Sequence, residues 1–190
     1  MKRLSELATI HTGLTLRQRP YERSDSNLVL MQLGDLDTDG NIDFENMMSV
    51  EADFSYKRYL AEEGDIVFRG RGAGISVGII PKHECQIAVV APLILIRPNY
   101  NVIEPEYLVW AMNSQNAQRQ YSLYIRGTSI TGIGKKDLEN IEIELPDIPT
   151  QRKIANLVRL QEKEKELLNQ YQKARKNLID AIIQERVSKS

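Results

Sequence analysis

Leu145-Pro146-Asp147-Ile148-Pro149-Thr150-Gln151-Arg152-Lys153-Ile154-Ala155 is where the chain changes character. Upstream, the sequence reads as short strands and turns dense in Gly and Pro; downstream, neither residue occurs again. Pro149 suits the first turn of a helix, where its missing N–H lacks an intrahelical acceptor in any case. The spacing predicts one helix from Pro149 to about Val187, roughly 38 residues and about 57 Å long at 1.5 Å per residue. The expected class is α+β: a globular mixed α/β head, residues 1–147, followed by a long coiled-coil helix, residues 148–190.

Leu157, Leu160, Glu164, Leu167, Tyr171, Ala174, Leu178 and Ala181 follow the alternating three-then-four spacing of a coiled-coil seam. Ile154, Leu168, Ile179 and Ile182 widen the stripe, while Glu164 and the polar run from Gln161 to Glu166 weaken its middle. A lone helix with such a stripe exposes too much apolar surface. Pairing with a helix of another chain, parallel or antiparallel, is expected in preference to folding back on the head. The expected interface is Leu157, Leu160, Leu167, Tyr171, Leu178 and Ile182.

Composition narrows the class. A hydrophobic content of 42% and a charged content of 27% are those of a soluble globular protein. No apolar run approaches the roughly 18 to 20 residues that cross a bilayer, and Met1 to Glu6 lack the apolar core of a secretory signal. The single Cys85 excludes an internal disulfide framework and suits a reducing cytoplasm. With His11, His83 and Cys85 as the soft donors, no metal site is expected. Net charge is −1 but uneven: residues 1–150 hold 15 Lys/Arg against 21 Asp/Glu, residues 151–190 hold 10 against 5. An acidic head touches nucleic acid only through a local basic patch.

Within the head, Leu4–Ala8 reads as a helical turn, and Leu28–Leu33, Gly64–Arg69, Ile75–Ile80, Ala88–Val90 and Leu93–Ile96 as strands. Helical spacing runs from Pro105 to about Asn113, with Asn116 to Tyr121 as an extension. Ile141–Leu145 alternates with period two, as a half-exposed strand does.

Asp35-Leu36-Asp37-Thr38-Asp39-Gly40-Asn41-Ile42-Asp43 matches the start of an EF-hand loop, but its twelfth position is Asn46 and the preceding segment reads as strand. An acidic hairpin turn explains it better than calcium. Arg69-Gly70-Arg71-Gly72-Ala73-Gly74 is neither a P-loop nor a dinucleotide fingerprint. Two arginines beside a closely approachable backbone suit phosphate or guanine edges, or simply form a tight solvated turn. Arg126-Gly127-Thr128-Ser129-Ile130-Thr131-Gly132 joins a cation to three hydroxyls, a mixture suited to phosphate and base-edge contact. Arg17, Gln18 and Arg19 form a third basic cluster, Lys57 and Arg58 a fourth. Catalysis finds little support: there is no Glu-x-Lys nuclease arm, no Asn/Asp-Pro-Pro-Tyr and no Gly-x-Ser-x-Gly elbow. His11 and His83 have no nucleophile or carboxylate at motif spacing.

An ordered set spans nearly the whole chain: Leu4, Ala8, Ile10 and Gly13; Gly64-Asp65-Ile66-Val67; Pro105-Glu106-Tyr107-Leu108; Gly127-Thr128-Ser129-Ile130; Leu138 and Ile141; and Leu145-Pro146, Pro149, Gln151 and Ile154-Ala155 before the long helix. This resembles the target-recognition domain and following helix of the DNA-specificity (S) subunits of Type I restriction–modification systems. The resemblance implies a non-catalytic reader of double-stranded DNA that directs a modification (methyltransferase) subunit and a restriction (translocase/nuclease) subunit. S-adenosylmethionine and ATP would then be used by those partners and not by this chain. Family subunits usually carry two recognition domains, whereas this chain has one head and one helix, as a half-length form would. A homodimer would read an interrupted palindrome.

The residues expected at DNA are Arg69, Arg71, Arg126, Thr128, Ser129 and Thr131, with Lys57 and Arg19 on phosphate. A stand-alone DNA-binding regulator, a structural dimeric fragment that reads nothing, and an enzyme using the acidic loop with a metal are the competing readings.

Overall fold

A computed structural model describes the chain apart from residues 19, 24, 52–54, 73, 126–131 and 189–190. In chain order the elements are β1 (Lys2–Arg3), α1 (Leu4–Leu7), β2 (Ala8–Thr12), β3 (Leu28–Met31), a 3-10 turn (Leu33–Asp35), β4 (Met48–Ser49), a second 3-10 turn (Lys57–Tyr59), β5 (Leu60–Ala61), β6 (Ile66–Arg69), β7 (Ser76–Ile79), β8 (Gln86–Val89) and β9 (Ile94–Pro98). Then come α2 (Pro105–Asn113), α3 (Gln115–Tyr124), α4 (Lys135–Glu139), β10 (Glu142–Ile143) and α5 (Ile148–Ser188). The α+β class expected from the sequence is what forms.

Among the described residues, one four-stranded sheet has the order β2-β9-β6-β7 and a second the order β4-β3-β8-β5; β1 and β10 make a short ribbon. In the first sheet every pairing is antiparallel. The second contains one parallel pair, β3 with β8. Alternation along β6 divides its side chains between two cores. Ile66 and Phe68 join Leu4, Leu7, Tyr107, Leu108, Met112 and Tyr121 on the helical side. Val67 joins Met31, Leu36, Ile87, Val89 and Leu95 between the sheets. Four of the five apolar runs read from sequence are thus central strands, β3, β6, β8 and β9, while Ile75–Ile80 forms the edge strand β7.

Local chemistry sets the element ends. Pro105 sits in the first turn of α2, whose Tyr107, Leu108, Ala111 and Met112 are buried. The sequence carries this helix on through Asn116–Tyr121, but the structure starts a new one. Ser114 is extended (φ −65°, ψ 158°) and its hydroxyl accepts from the Ala117 N–H, capping α3. The strand expected over Ile141–Leu145 narrows to β10. Lys2 and Arg3 pair one edge, and the Gln120 amide takes both the N–H and the C=O of Glu142. The Gly64–Asp65 turn before β6 forms as expected, with Gly64 at φ +84°.

Candidate nucleic-acid interface

The β6–β7 hairpin roots the candidate surface. Its strands end on the pair Arg69↔Ser76, and Gly72, at φ +87°, lies in the turn between them. At the turn's base Gly70 is buried, and its carbonyl accepts from the Ile133 N–H at 3.0 Å. A Cβ on Gly132 would come within 2.2 Å of the Gly70 oxygen and 2.1 Å of Arg71 Cγ. Two backbones therefore meet here with no room for a side chain.

A second glycine contact fixes the acidic loop. Leu36 bridges Ile42, and between them Gly40 turns at φ +88°. A Cβ on Gly40 would lie 2.4 Å from the Val77 oxygen, and one on Gly78 would lie 2.6 Å from the Gly40 oxygen. The loop is an acidic hairpin, as its sequence suggests. Asp37 accepts from the Asp39 and Asn41 N–H groups and from the Asn41 amide. The Asn41 side chain is the main reason its carboxyl is held below the usual range. Asn46 does the same for Asp43. Burial pushes Asp35 up, against the opposing bond from the Gln32 N–H. Among the described residues, no group of three or more His, Cys, Asp or Glu is arranged to hold a metal ion. Asp39 faces α5, 3.9 Å from Lys165 Nζ. The acidic hairpin thus runs along β7 from the arginine turn, where a Cβ on Gly74 would lie 3.9 Å from Thr38 Cγ2, to Lys165 of α5.

The arginines of the turn differ in placement. Arg71 is exposed. Arg69 is partly buried; its Nη1 donates to the Leu36 carbonyl at 2.6 Å and its Nε to the Arg71 carbonyl at 3.3 Å. Lys57 is exposed on the 3-10 turn before β5, in the other sheet. Its neighbour Arg58 lies over the Tyr59 ring. Arg19, Arg126, Thr128, Ser129 and Thr131 lie outside the described residues. The fold therefore packs Arg71 against Gly132 and sets Lys57 by the other sheet.

Helix α5 has two unlike faces. Gln151 is buried; its side chain accepts from the Glu104 N–H and donates to the Pro146 and Val102 carbonyls. Ile154, Ala155 and Val158 are half-buried along the same side, and Arg152 pairs with Glu104 at 2.6 Å. Beyond Val158 every residue to Val187 is exposed. Leu157 (67% exposed), Leu160, Leu167, Tyr171, Leu178 and Ile182 stand on the side turned away from the head. Leu160, Leu167, Leu168 and Tyr171 border an apolar concavity there. Sequence spacing marks this seam but does not distinguish Gln151 as the anchor. Its one signal is a polar residue in the first turn, just past Pro149. No helix among the described residues is long and apolar enough to cross a membrane.

Comparison with known proteins adds the following. A family model described as the Type I restriction modification DNA specificity domain matches residues 1–175. The Type I restriction enzyme EcoBI specificity subunit of Escherichia coli is 25% identical over 142 residues, which is 74% of this chain and 30% of that protein. The putative type I restriction enzyme MjaX specificity subunit of Methanocaldococcus jannaschii is 28% identical over 189 residues, 88% of this chain and 41% of the relative. Among solved structures, the HsdS subunit from Thermoanaerobacter tengcongensis superposes with a TM-score of 0.66 at 23% identity, covering 93% of this chain and 45% of that one. The Type I restriction–modification S subunit from M. genitalium gives 0.56 at 17%, covering 90% and 40%. The chain spans less than half the length of each of these four proteins.

Proposed function

The chain belongs to the Type I restriction–modification DNA specificity family, and from that premise we propose that its head reads one half of a bipartite DNA target. One observation carries this reading: the turn that exposes Arg71 is braced, backbone to backbone, by Gly132 and Ile133. An exposed arginine on a braced, closely approachable backbone suits phosphate and base edges in a groove. The head acts as a non-catalytic reader in the cytoplasm. Adenine methylation with S-adenosylmethionine, and ATP-driven translocation and cleavage, fall to partner modification and restriction subunits.

The exposed seam of α5 supports pairing with a second copy, which sets two heads at a fixed spacing. Because the seam faces away from the head, a partner helix is accommodated without displacing the packing around Gln151. Two measurements test the reading. Selection from a pool of random-sequence duplexes should enrich an interrupted palindrome, and sedimentation should give twice the chain mass. Enrichment without co-purification of a methyltransferase subunit would favour a stand-alone regulator. A dimer that enriches nothing would be a structural fragment.

A further inference from the structure

The Gly70–Ile75 turn that carries Arg71 is held at its base by the Ile133 N–H on the Gly70 carbonyl, and beyond that base its own side chains restrain it little. Gly70, Gly72 and Gly74 contribute no side chains, and both Arg71 and Gly72 are exposed. The fork of Arg69 supplies the missing restraint. Its Nη1 reaches across to the Leu36 carbonyl at the root of the acidic hairpin, and its Nε returns to the Arg71 carbonyl. Its Nη2 lies 3.2 Å from the place a Cβ on Gly72 would occupy. The guanidinium is thus enclosed by the turn it supports, with donors directed at carbonyls of two separate loops.

We propose that Arg69 is a positioning residue for base reading: it clamps the Gly70–Ile75 turn to the Leu36–Ile42 hairpin and so fixes where the Arg71 side chain stands. The inference rests on the DNA-reading role proposed above and adds the group that sets its geometry. The physical reason is preorganisation. A glycine-rich turn left loose loses conformational freedom each time it docks, and that loss weakens the one productive pose most. Attraction between the cations and phosphate is insensitive to pose and survives. Only a planar fork reaches both carbonyls; a lysine keeps the charge but presents a single point.

Arg69→Lys therefore tests the clamp without altering net charge. In the DNA-free protein, hydrogen exchange at the amides of residues 70–72 and 74–75 should quicken at least tenfold, while amides 66–68 and 94–96 exchange as in the wild type. Random-duplex selection with the variant should give a motif at least tenfold less enriched, since a well-placed bidentate contact discriminates by about that factor or more. The salt dependence of binding to the unselected pool should not change. Unaltered exchange in the turn overturns the proposal and leaves Arg69 as a direct contact or a bystander. Faster exchange with undiminished enrichment overturns it equally, because the clamp would then not serve reading. A wild-type protein that enriches no sequence defeats the DNA-reading role itself and this inference with it. That failure is told apart by occurring without any substitution.

Discussion

Asp65 is a carboxylate withdrawn from water at the start of β6, and its oxygens are divided between the Glu62 N–H and a two-pronged grip by Arg97. Arg97 stays partly exposed and also lies 3.4 Å from Glu62. Removing the acid leaves the partly exposed guanidinium with Glu62 and the Leu60 carbonyl, so Asp65→Ala should cost about 2 kcal/mol, below the range for a fully buried pair. Urea denaturation checks this. Gly132 poses a different constraint. Because an added methyl would strike the Gly70 carbonyl, Gly132→Ala must push the two loops apart. Specific DNA binding should fall at least tenfold in equilibrium titration with a selected duplex, while far-UV circular dichroism stays unchanged. The Arg71 stem packs against Gly132 while the residue stays exposed; where its charge meets phosphate, Arg71→Gln should lower the salt slope of binding by about 0.9.

At the scale of the element, α5 carries two further tests. Asp147 caps its first turn by accepting from the Thr150 N–H, and the Thr150 side chain first, that N–H second, hold its carboxyl below the ordinary value near 3.8. A carboxyl lowered in the folded state stabilises fully above the ordinary range and loses that contribution as pH falls through its own lower value. The thermal midpoint should therefore drop more slowly below pH 4 in Asp147→Ala than in the wild type. The second test concerns pairing. Reversing the helix about a point between Leu168 and Tyr171 lays Leu157 on Ile182 and Leu160 on Ile179. It also sets Gln161–Glu166, with three Glu and two Lys, against Lys173, Arg175 and Lys176; a parallel pair sets that basic stretch on its own copy. In a Cys85→Ser background, Leu157→Cys mixed with Ile182→Cys should give an oxidised covalent dimer, and Leu157→Cys alone should not. The seam and the central strands were legible because one periodicity dominates each. β4 and β5, two residues apiece, carry no period, and the close approaches of Gly40 to Gly78 and Gly70 to Gly132 join residues far apart in sequence. Arg69 looked like a free cation because nothing near it in sequence marks Leu36 as its acceptor.

For the whole molecule, the acidic head and basic tail place opposite charge at the two ends of one chain, net −6 before residue 151 and +5 after it. The proposed pairing through α5 makes the spacing between two heads depend on rod length. Deleting seven residues from the α5 seam keeps its phase and shortens it by about 10 Å, roughly three base pairs. Selection with that variant should return the same half-sites with a gap about three base pairs shorter; an unchanged gap would show that the rod does not measure it. The β6–β7 hairpin has another consequence. Gly70 and Gly78 meet their neighbours at the Ile133 and Gly40 carbonyls and at the Phe68 and Leu36 side chains, not at the exposed side chains those loops display. A lineage pressed to find a new target can rewrite those exposed side chains freely while both glycines stay invariant, so a change of diet need not disturb the jaw.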